Sequence, residues 1–280
     1  MQEILTQAQA EASNARILVA IAFHYKESRV RYLADVVMGL STFPVEQIDI
    51  AVMTNTTDPD EIAVVLAACP VTSDRVTLNL IPYVALADPF ALTWGHKQII
   101  RDTFLREDSG YTHFIYMEDD IGLGFQNFLY YVAWKNKLAE VGLIPSFLRV
   151  EYSSLQKGWV SPDNCNKIAL DRHSVAFGDH IFVNPPNPHI GFFIMDREQA
   201  REHLVSNSFD MHRSEYVPFA IRERAAMGVM FDNIRQGFRS RYAIPVTRNL
   251  LPASPCLVRH LQNNYADDGA VRVPIHEMFR

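Results

Sequence analysis

The sequence predicts an α/β fold, with a Rossmann-type mixed sheet that carries helices on both faces. From residue 16 to residue 142, short apolar runs alternate with longer segments of helical period, as they do in chains of βαβ units. The first apolar run, 16–23, has no polar alternation, which is typical of a strand covered on both faces. With 280 residues, of which 48% are hydrophobic, the chain is long enough to bury a sizeable core.

The elements of the first half follow one another in a regular order. Strands are predicted at 16–23, 48–54, 76–83 and 113–117, and helices at 28–40, 58–68, 93–106 and 126–141. In the first helix, Val30, Leu33 and Val37 recur at helical spacing and define one apolar face. Pro59 stands in the first turn of the second helix, where its missing N–H is not needed.

The second half of the chain shows a weaker pattern. Strands are predicted at 147–152 and 189–195, and helices at 197–205 and 214–227. Residues 153–188 are polar and contain Pro and Asn, which predicts a long excursion or small hairpins. The segment 245–280 has no clear period, so we predict no regular element there. Because no repeat, linker or low-complexity run divides the sequence, we expect a single domain, 1–280.

Composition and charge exclude several classes of protein. A formal net charge of -6 without a basic stripe argues against a protein that binds duplexes, so we expect no nucleic-acid partner. Cys69, Cys165 and Cys256 lie far apart in the sequence, which predicts reduced thiols. The first residues do not resemble a signal peptide, and no apolar run approaches the ~18 to 20 residues of a membrane-spanning helix. We therefore expect a cytoplasmic protein with no transmembrane segment.

Three adjacent acids, Glu118, Asp119 and Asp120, directly follow the fourth predicted strand. In open α/β sheets, ligands bind where the carboxyl ends of the strands meet. Adjacent carboxylates repel one another, so we expect a compensating cation, and a hard divalent metal is the simplest one. If the strand pitch persists, Glu118 and Asp120 project to one side and Asp119 to the other. The alternative is a solvated acidic turn.

The strand that leads into this triplet, after a first strand of the type Ile-Leu-Val-Ala-Ile, resembles the D-x-D region of GT-A fold glycosyltransferases. The resemblance covers most of the chain in element order and rests on one short motif. It implies a GT-A-like fold, a nucleotide diphosphate-sugar donor, a carbohydrate or other hydroxyl acceptor, and Mn²⁺ or Mg²⁺ as cofactor. Carried over to this chain, it makes Asp120 the metal ligand and places Glu118 and Asp119 at the donor. This chain has Glu118 where the commonest pattern has Asp.

The resemblance also implies a division of labour along the chain. Residues 15–122 are then the nucleotide-sugar-binding half, and 123–280 the acceptor-binding half with a C-terminal metal-site segment. Members of the family often complete the metal shell with a His near the C-terminus, and the match here is His260, with His276 as its rival. An imidazole among oxygen ligands favours Mn²⁺ over Mg²⁺. The alternative is a surface or core histidine.

Basic and polar side chains near these elements are candidates for donor binding. On the helix predicted at 93–106, Trp94, Lys97 and Arg101 fall on one face. The resemblance places this helix at the donor nucleotide, so Lys97 and Arg101 are candidates for the donor phosphate or sugar. A solvated basic face with Trp94 in the core is the alternative. The loops after the first two strands, where the family holds the base and ribose, add Phe23, Tyr25, Arg29 and Asn55.

The candidate catalytic base is Glu215. Inverting members of the family place an acid near the start of a helix on the acceptor side, and Glu215 is the best positional match. A first-turn Glu that stabilises its own helix through the dipole is the alternative. Metal-dependent glycosyl transfer is the leading prediction. The alternatives are an inactive sugar- or metal-binding protein of the same fold and a sugar-nucleotide nucleotidyltransferase, although the loop 24–29 lacks the glycines that the latter needs.

Overall fold

The computed structural model of the chain describes residues 2–83, 86, 88–170, 173–178 and 180–280. They form two compact units, each assembled from separate stretches of the sequence. We call Thr6–Phe125 with Gly191–Val229 the sheet unit. Met1–Leu5, Gln126–Ile190 and Met230–Arg280 make up the other, which we call the C-terminal unit.

Helices and strands alternate over the described part of the chain. Its α-helices are α1 (Gln2–Ser13), α2 (Glu27–Ser41), α3 (Pro59–Ala68), α4 (Gly95–Ile99), α5 (Phe125–Ala139), α6 (Arg197–Val205) and α7 (Ile221–Ala225). Its strands are β1 (Arg16–Phe23), β2 (Gln47–Thr54), β3 (Val76–Pro82), β4 (His113–Glu118), β5 (Ile121–Gly122), β6 (Ile144–Pro145), β7 (Leu148–Ser153), β8 (Gly158–Val160), β9 (Ser174–Phe177), β10 (His180–Val183), β11 (Phe192–Asp196), β12 (Tyr242–Val246) and β13 (Leu257–His260). None of the described helices is both long and apolar enough to cross a membrane.

The sheet unit is built on a five-stranded sheet in the order β11-β4-β1-β2-β3. β1 to β4 run parallel to their neighbours, and β11 runs antiparallel to β4. The register sets Ala22 of β1 beside Glu118 of β4, and Phe23 beside Thr54 of β2. The carboxyl ends of β1, β2 and β4 therefore meet at one edge. This arrangement confirms the predicted α/β fold with a Rossmann-type mixed sheet.

Both faces of the sheet are covered, as the uninterrupted apolar run of β1 predicts. Leu18 and Ala20 point into a buried cluster that includes Ile99 of α4 and Ala200 of α6. The alternating residues of β1, such as Val19, are fully buried on the opposite face, and α2 packs on β2. Each large aliphatic side chain buried in this way contributes about 1.5 to 3 kcal/mol to folding.

Two predicted helices differ from those in the structure. Instead of one helix at 93–106, a 3₁₀ turn (Pro89–Trp94) leads into α4 and then into a π turn (Ile100–Phe104). The first turn begins early because Asp88 caps it by accepting a hydrogen bond from the N–H of Phe90 (2.8 Å).

The helix predicted at 214–227 is also replaced by shorter elements. The structure has a 3₁₀ turn (Arg213–Tyr216) and the five-residue α7. Pro218 explains the break, because a proline disfavours the helical conformation in the residue before it. Val217 accordingly adopts the extended conformation, with φ -105° and ψ 142°.

The C-terminal unit contains two small groups of strands. One has the order β6-β12-β10-β9, in which β9 and β10 form an antiparallel hairpin. In the other, β7 pairs with β8 and, in parallel, with β13. The hairpins confirm one form expected for 153–188. The prediction of no regular element in 245–280 is wrong. β12 extends into this segment, and β13 forms there by pairing with the distant strand β7.

Candidate active site

A cavity of about 340 Å³ opens at the carboxyl edge of the sheet, within the sheet unit. Its polar lining comes from the loop after β1, from the first turn of α2, from the end of β4 and from α7. The charged and titratable residues of this lining are His24, Lys26, Arg29, Glu118, Asp119 and Arg222. Phe90 and Leu92 contribute an apolar wall. Carboxylates and cations thus face one space at the position where open α/β sheets bind ligands.

The acid triplet lies at this edge with a different orientation from the expected one. β4 ends at Glu118, and Asp119 and Asp120 form a turn. The strand pitch therefore does not persist, so the expected pairing of Glu118 with Asp120 on one side is wrong. Glu118 and Asp119 line the cavity, whereas Asp120 is buried outside its lining.

Arg29 is the cation that compensates two of the three acids. Its Nε and Nη2 donate to Oδ2 and Oδ1 of Asp119 at 2.9 and 2.6 Å, and Nη2 also donates to Asp120 Oδ2 at 2.9 Å. The side chains of Asp119 and Asp120 are only 4% and 3% exposed, so the interaction is largely protected from water. A planar guanidinium suits this task because its donors match a carboxylate in pairs.

The pKa values of this cluster show the cost of burying it. Burial, helped by the neighbouring charge of Asp120, raises the pKa of Asp119 to about 6, although Arg29 opposes the shift. Burial also acts to lower the pKa of Arg29, but its bonds and charge interactions with Asp119 and Asp120 outweigh it and raise that pKa. Asp119 is therefore ionised at neutral pH, and its ionisation depends on Arg29.

Glu118 interacts with a different arginine and with a glycine. Nε of Arg222, in the first turn of α7, lies 3.7 Å from Glu118 Oε1, and the guanidinium lies over the ring of Phe90, 6.0 Å from its centroid. The N–H of Glu118 donates to the carbonyl of Gly191 at 3.2 Å. Gly191 has a φ of +73°, and a Cβ there would lie 3.6 Å from Glu118 Cδ. A side chain at this position would strain the backbone and would pack against the carboxylate.

The loop after β1 contributes two further polar groups to the cavity. His24 Nδ1 is buried and has no hydrogen-bond partner among the described residues. Lys26 is exposed, and the described part of the chain offers its ammonium no ion pair. Both groups are therefore available to a ligand at this edge.

Three of the other donor candidates lie near the cavity but outside its lining. The backbone N–H of Tyr25 donates to Asn55 Oδ1 at 2.7 Å, which joins the loops after β1 and β2. The ring of Phe23 is fully buried and meets that of Tyr25 edge-on, with 6.0 Å between the centroids. These residues shape the edge of the sheet, and their contact with a donor stays a prediction.

Lys97 and Arg101 occupy very different environments. Lys97 is buried, with Nζ 2.6 Å from Nε2 of His203 and 5.4 Å from the ring centroid of Trp94. Arg101 is exposed and pairs with its neighbour Asp102 at 2.7 Å. Neither side chain lines the cavity. The structure therefore places Lys97 in the interior, not on the solvated face that was its alternative.

Glu215, the candidate base, lies on the surface of the sheet unit. Its side chain is 62% exposed and has His212 Nδ1 and Arg224 Nη1 at 3.7 and 3.8 Å. It is not part of the cavity lining. Its 3₁₀ turn is also too short to supply the helix start on which the prediction depended.

His260, the candidate metal ligand near the C-terminus, belongs to the C-terminal unit. Its Nδ1 donates to the fully buried Glu151, which also accepts from the N–H groups of Tyr265 and Ala266. The imidazole stacks on the ring of Tyr265, 5.4 Å between centroids. His276, its rival, is exposed. Because Asp120 lies in the sheet unit, joint ligation by Asp120 and His260 stays a prediction.

The triplet as arranged does not fit a metal ion. In the described part of the chain, no group of three or more His, Cys, Asp or Glu side chains is placed to hold one. Carboxylate oxygens of Asp119 and Asp120 accept hydrogen bonds from Arg29. Arg29 therefore supplies the positive charge that we expected from a metal ion. A metal ligated by Oδ2 of Asp120 would have to displace this guanidinium.

Sequence reasoning missed Arg222 and Gly191. Arg222 was included in a long predicted helix, and its position at Glu118 depends on the break at Pro218. Gly191 was one residue of a predicted strand, and its left-handed φ appears only in the fold. The break could have been found, since Pro218 is an ordinary helix-stop signal.

Comparison with known proteins adds little to this geometry. No family model matches the sequence, and no curated protein does. Among solved structures, the chain is similar to the apo structure of the WbbM bifunctional glycosyltransferase, with a TM-score of 0.38 and 11% identity. The match covers 76% of this chain and 37% of that one, so the chain spans well under half of its neighbour's length. A similarity of this size supports no conclusion about fold or function.

Proposed function

We propose that this chain is a glycosyltransferase that moves a sugar from a nucleotide diphosphate-sugar donor to a hydroxyl acceptor. The observation that carries the proposal is the cavity at the sheet edge, where the carboxylates of Glu118 and Asp119 face the cations Lys26 and Arg222. A donor of this class is complementary to this lining. The hydroxyls of its sugars can donate hydrogen bonds to the carboxylates, and its diphosphate can pair with the cations. The resemblance of the triplet to the D-x-D region agrees with this assignment.

Each lining residue has a chemical role in the proposal. Glu118 and Asp119 accept hydrogen bonds from ribose or sugar hydroxyls, as charge-assisted bonds about 1.5 to 3 kcal/mol strong. Lys26 and Arg222 bind the diphosphate. When the bond between the anomeric carbon and the phosphate oxygen breaks, these cations stabilise the charge that develops on the leaving group. Arg29 acts through Asp119 and Asp120 as a positioning residue.

The proposal also names the source of positive charge at the acid triplet. Arg29 holds Asp119 and Asp120, so these acids need no metal to offset their repulsion. Since the residues do not fit a cation, no step of the proposed reaction passes through one. Dependence on Mn²⁺ or Mg²⁺ stays a prediction of the resemblance, and the guanidinium arrangement predicts donor binding without either ion.

Calorimetry with a panel of nucleotide diphosphate-sugars, in EDTA and in Mn²⁺, tests the proposal. We expect at least one donor to bind in EDTA. Glu118→Gln and Arg222→Gln should each weaken that binding by roughly 10 to 100 fold, because each removes a charge-assisted contact. Arg106→Gln is the matched control, since Arg106 is exposed and pairs only with Asp108.

Different results separate the competing functions. If no donor binds under either condition, the chain is not a glycosyltransferase of this kind. Binding only with Mn²⁺, lost in Asp120→Ala, would restore the metal site and contradict the role given to Arg29. Donor binding without release of the sugar to water or to any acceptor would favour an inactive sugar-binding protein.

A further inference from the structure

A second cavity, of about 300 Å³, lies within the C-terminal unit and has no part in the proposed transfer reaction. Its lining includes Lys167, His173, Arg239 and Arg280. No Asp or Glu side chain among the described residues lines it. The volume is that of a small-ligand pocket, and the charged side chains among its described lining residues are all basic.

The backbone at both arginines is anchored. The N–H of Arg239 donates to Oδ1 of Asn184 at 2.7 Å, and Asn184 is buried, with Nδ2 donating to the carbonyl of Tyr242 at 2.6 Å. The N–H of Arg280 donates to the carbonyl of Ile168 at 3.0 Å. These bonds determine where both arginine side chains begin.

The guanidinium groups, in contrast, have no partner in the part of the chain that the structure describes. Neither Arg239 nor Arg280 makes a side-chain hydrogen bond or ion pair with any described residue. Of the other cations, Lys167 pairs with Glu277 at 3.0 Å, and both of these side chains are about half exposed. Two guanidiniums on one concave wall, with no Asp or Glu side chain of the described residues beside them, repel each other, and an anion between them would remove that repulsion.

His173 helps to hold the wall of this cavity in place. It has a φ of +56°, a conformation that is unfavourable for a residue with a side chain. Its Nδ1 donates to the carbonyl of Gly237, and its ring meets that of Phe238 edge-on, 6.2 Å between centroids. These contacts join the segment before Arg239 to His173 on the cavity wall. The backbone from which the Arg239 side chain extends is therefore held in place.

We propose that this cavity binds a small phosphate-bearing anion, a phosphate ester or a diphosphate. A guanidinium presents paired donors that match phosphate oxygens, so two of them around one pocket are suited to a phosphoryl group. With Lys167 beside them, they favour a ligand with more than one negative charge. This site is separate in sequence and lining from the cavity of the sheet unit, and its occupation does not require the transferase to be active.

Calorimetric titration with inorganic pyrophosphate, in an Arg222→Gln background that weakens the first cavity, tests this site. We expect Arg239→Gln and Arg280→Gln each to weaken pyrophosphate binding at least tenfold. Arg235→Gln is the matched control, because Arg235 is an exposed arginine of the same loop and lies outside the described lining. Its Nη1 donates to the carbonyl of Val141 (3.3 Å), and its guanidinium lies over the ring of Phe238, 5.5 Å from the centroid. We expect this control to bind as the background does.

The remaining outcomes are equally decisive. Pyrophosphate binding that is absent, or equal in all three variants, overturns the proposal. Citrate binding more tightly than pyrophosphate, with the same dependence on Arg239, overturns the assignment to phosphate. Should Arg239→Gln unfold, Arg280→Gln decides alone. Loss of donor binding in Glu118→Gln with pyrophosphate binding retained would show that the two sites are distinct.

Discussion

The two cavities of this protein use arginine in opposite ways. In the sheet unit, Arg29 is bound by two buried carboxylates, which neutralise its charge within the protein. In the C-terminal unit, Arg239 and Arg280 line a cavity in which no described Asp or Glu side chain takes part. The difference teaches that an arginine held in bidentate fashion by buried acids is not by itself evidence of a ligand, whereas arginines on a cavity wall that the described acids do not bind are available to one. A single variant at each site shows this difference directly.

The largest expected effect comes from Arg29→Met. The substitution leaves Asp119 and Asp120 as buried carboxylates without their cation, and breaking such a pair is strongly destabilising. Because Arg29 is partly exposed, we expect a loss of about 3 kcal/mol in the free energy of unfolding, at the low end of the usual range. Urea denaturation at pH 7.5 measures it.

A second substitution identifies the cause of that loss. Adding Asp119→Asn to Arg29→Met removes one of the two repelling charges, so it should recover part of the stability. If Arg29→Met is as stable as the wild type, Arg29 does not compensate the triplet. The contrast between the two cavities would then fail.

The next effect is a loss of stability in acid, from two buried histidines of the sheet unit. Burial and the charge of Lys97 lower the pKa of His96 and of His203 well below 6.5. The unfolded chain takes up protons at these sites as the pH falls through about 6.5, whereas the folded chain does not. The contribution of the two neutral histidines to the free energy of unfolding is therefore complete above pH 6.5. Below that pH it declines, by about 1.4 kcal/mol for each histidine at pH 5.5.

Urea denaturation at pH 7.5 and pH 5.5 measures this decline. Asp119 acts in the opposite direction, because its raised pKa favours the folded state as the pH falls from about 6 towards its unfolded value. The comparison with His203→Gln isolates the histidine effect, since the variant should lose about half of the decline. An unchanged pH dependence in this variant would show that His203 is not held neutral.

A smaller effect is expected for Lys97→Met. It removes the ammonium from the buried Nε2 of His203 but keeps much of the aliphatic packing, so we expect a loss of about 1 to 2 kcal/mol. Donor affinity should not change, because Lys97 does not line the cavity. Arg101→Met, the exposed counterpart, should change neither quantity measurably. If Lys97→Met bound the donor more weakly at normal stability, Lys97 would be a donor-binding residue after all.

The smallest effect is expected for Arg239→Gln. Because the Arg239 guanidinium has no ion-pair partner among the described residues, its replacement should change the free energy of unfolding by less than about 0.5 kcal/mol. Measured beside Arg29→Met under the same conditions, it gives the direct comparison of the two cavities. A loss of several kcal/mol would mean that Arg239 has a structural role and is not reserved for a ligand.

Local patterns were enough to predict most of the sheet unit. β1 is an almost uninterrupted apolar run, and β2 and β4 contain the apolar runs 50–53 and 114–117. A run of this kind specifies a buried strand wherever the strand is placed. The acid triplet was likewise recognisable, because its position at the end of a strand follows from the order of elements. The same patterns failed at 245–280, where β13 is a strand only because β7 lies beside it.

The charge partners were decided by the tertiary structure. The sequence indicated that the acid triplet needs a cation, and both a metal and any of the chain's basic residues satisfied that need. Arg29 and Asp119 are distant in sequence and meet only because β1 and β4 are neighbours in the sheet. Hydrophobic period is a local property that short segments carry on their own. Which guanidinium reaches which carboxylate depends on packing across the sheet, and no local pattern records it.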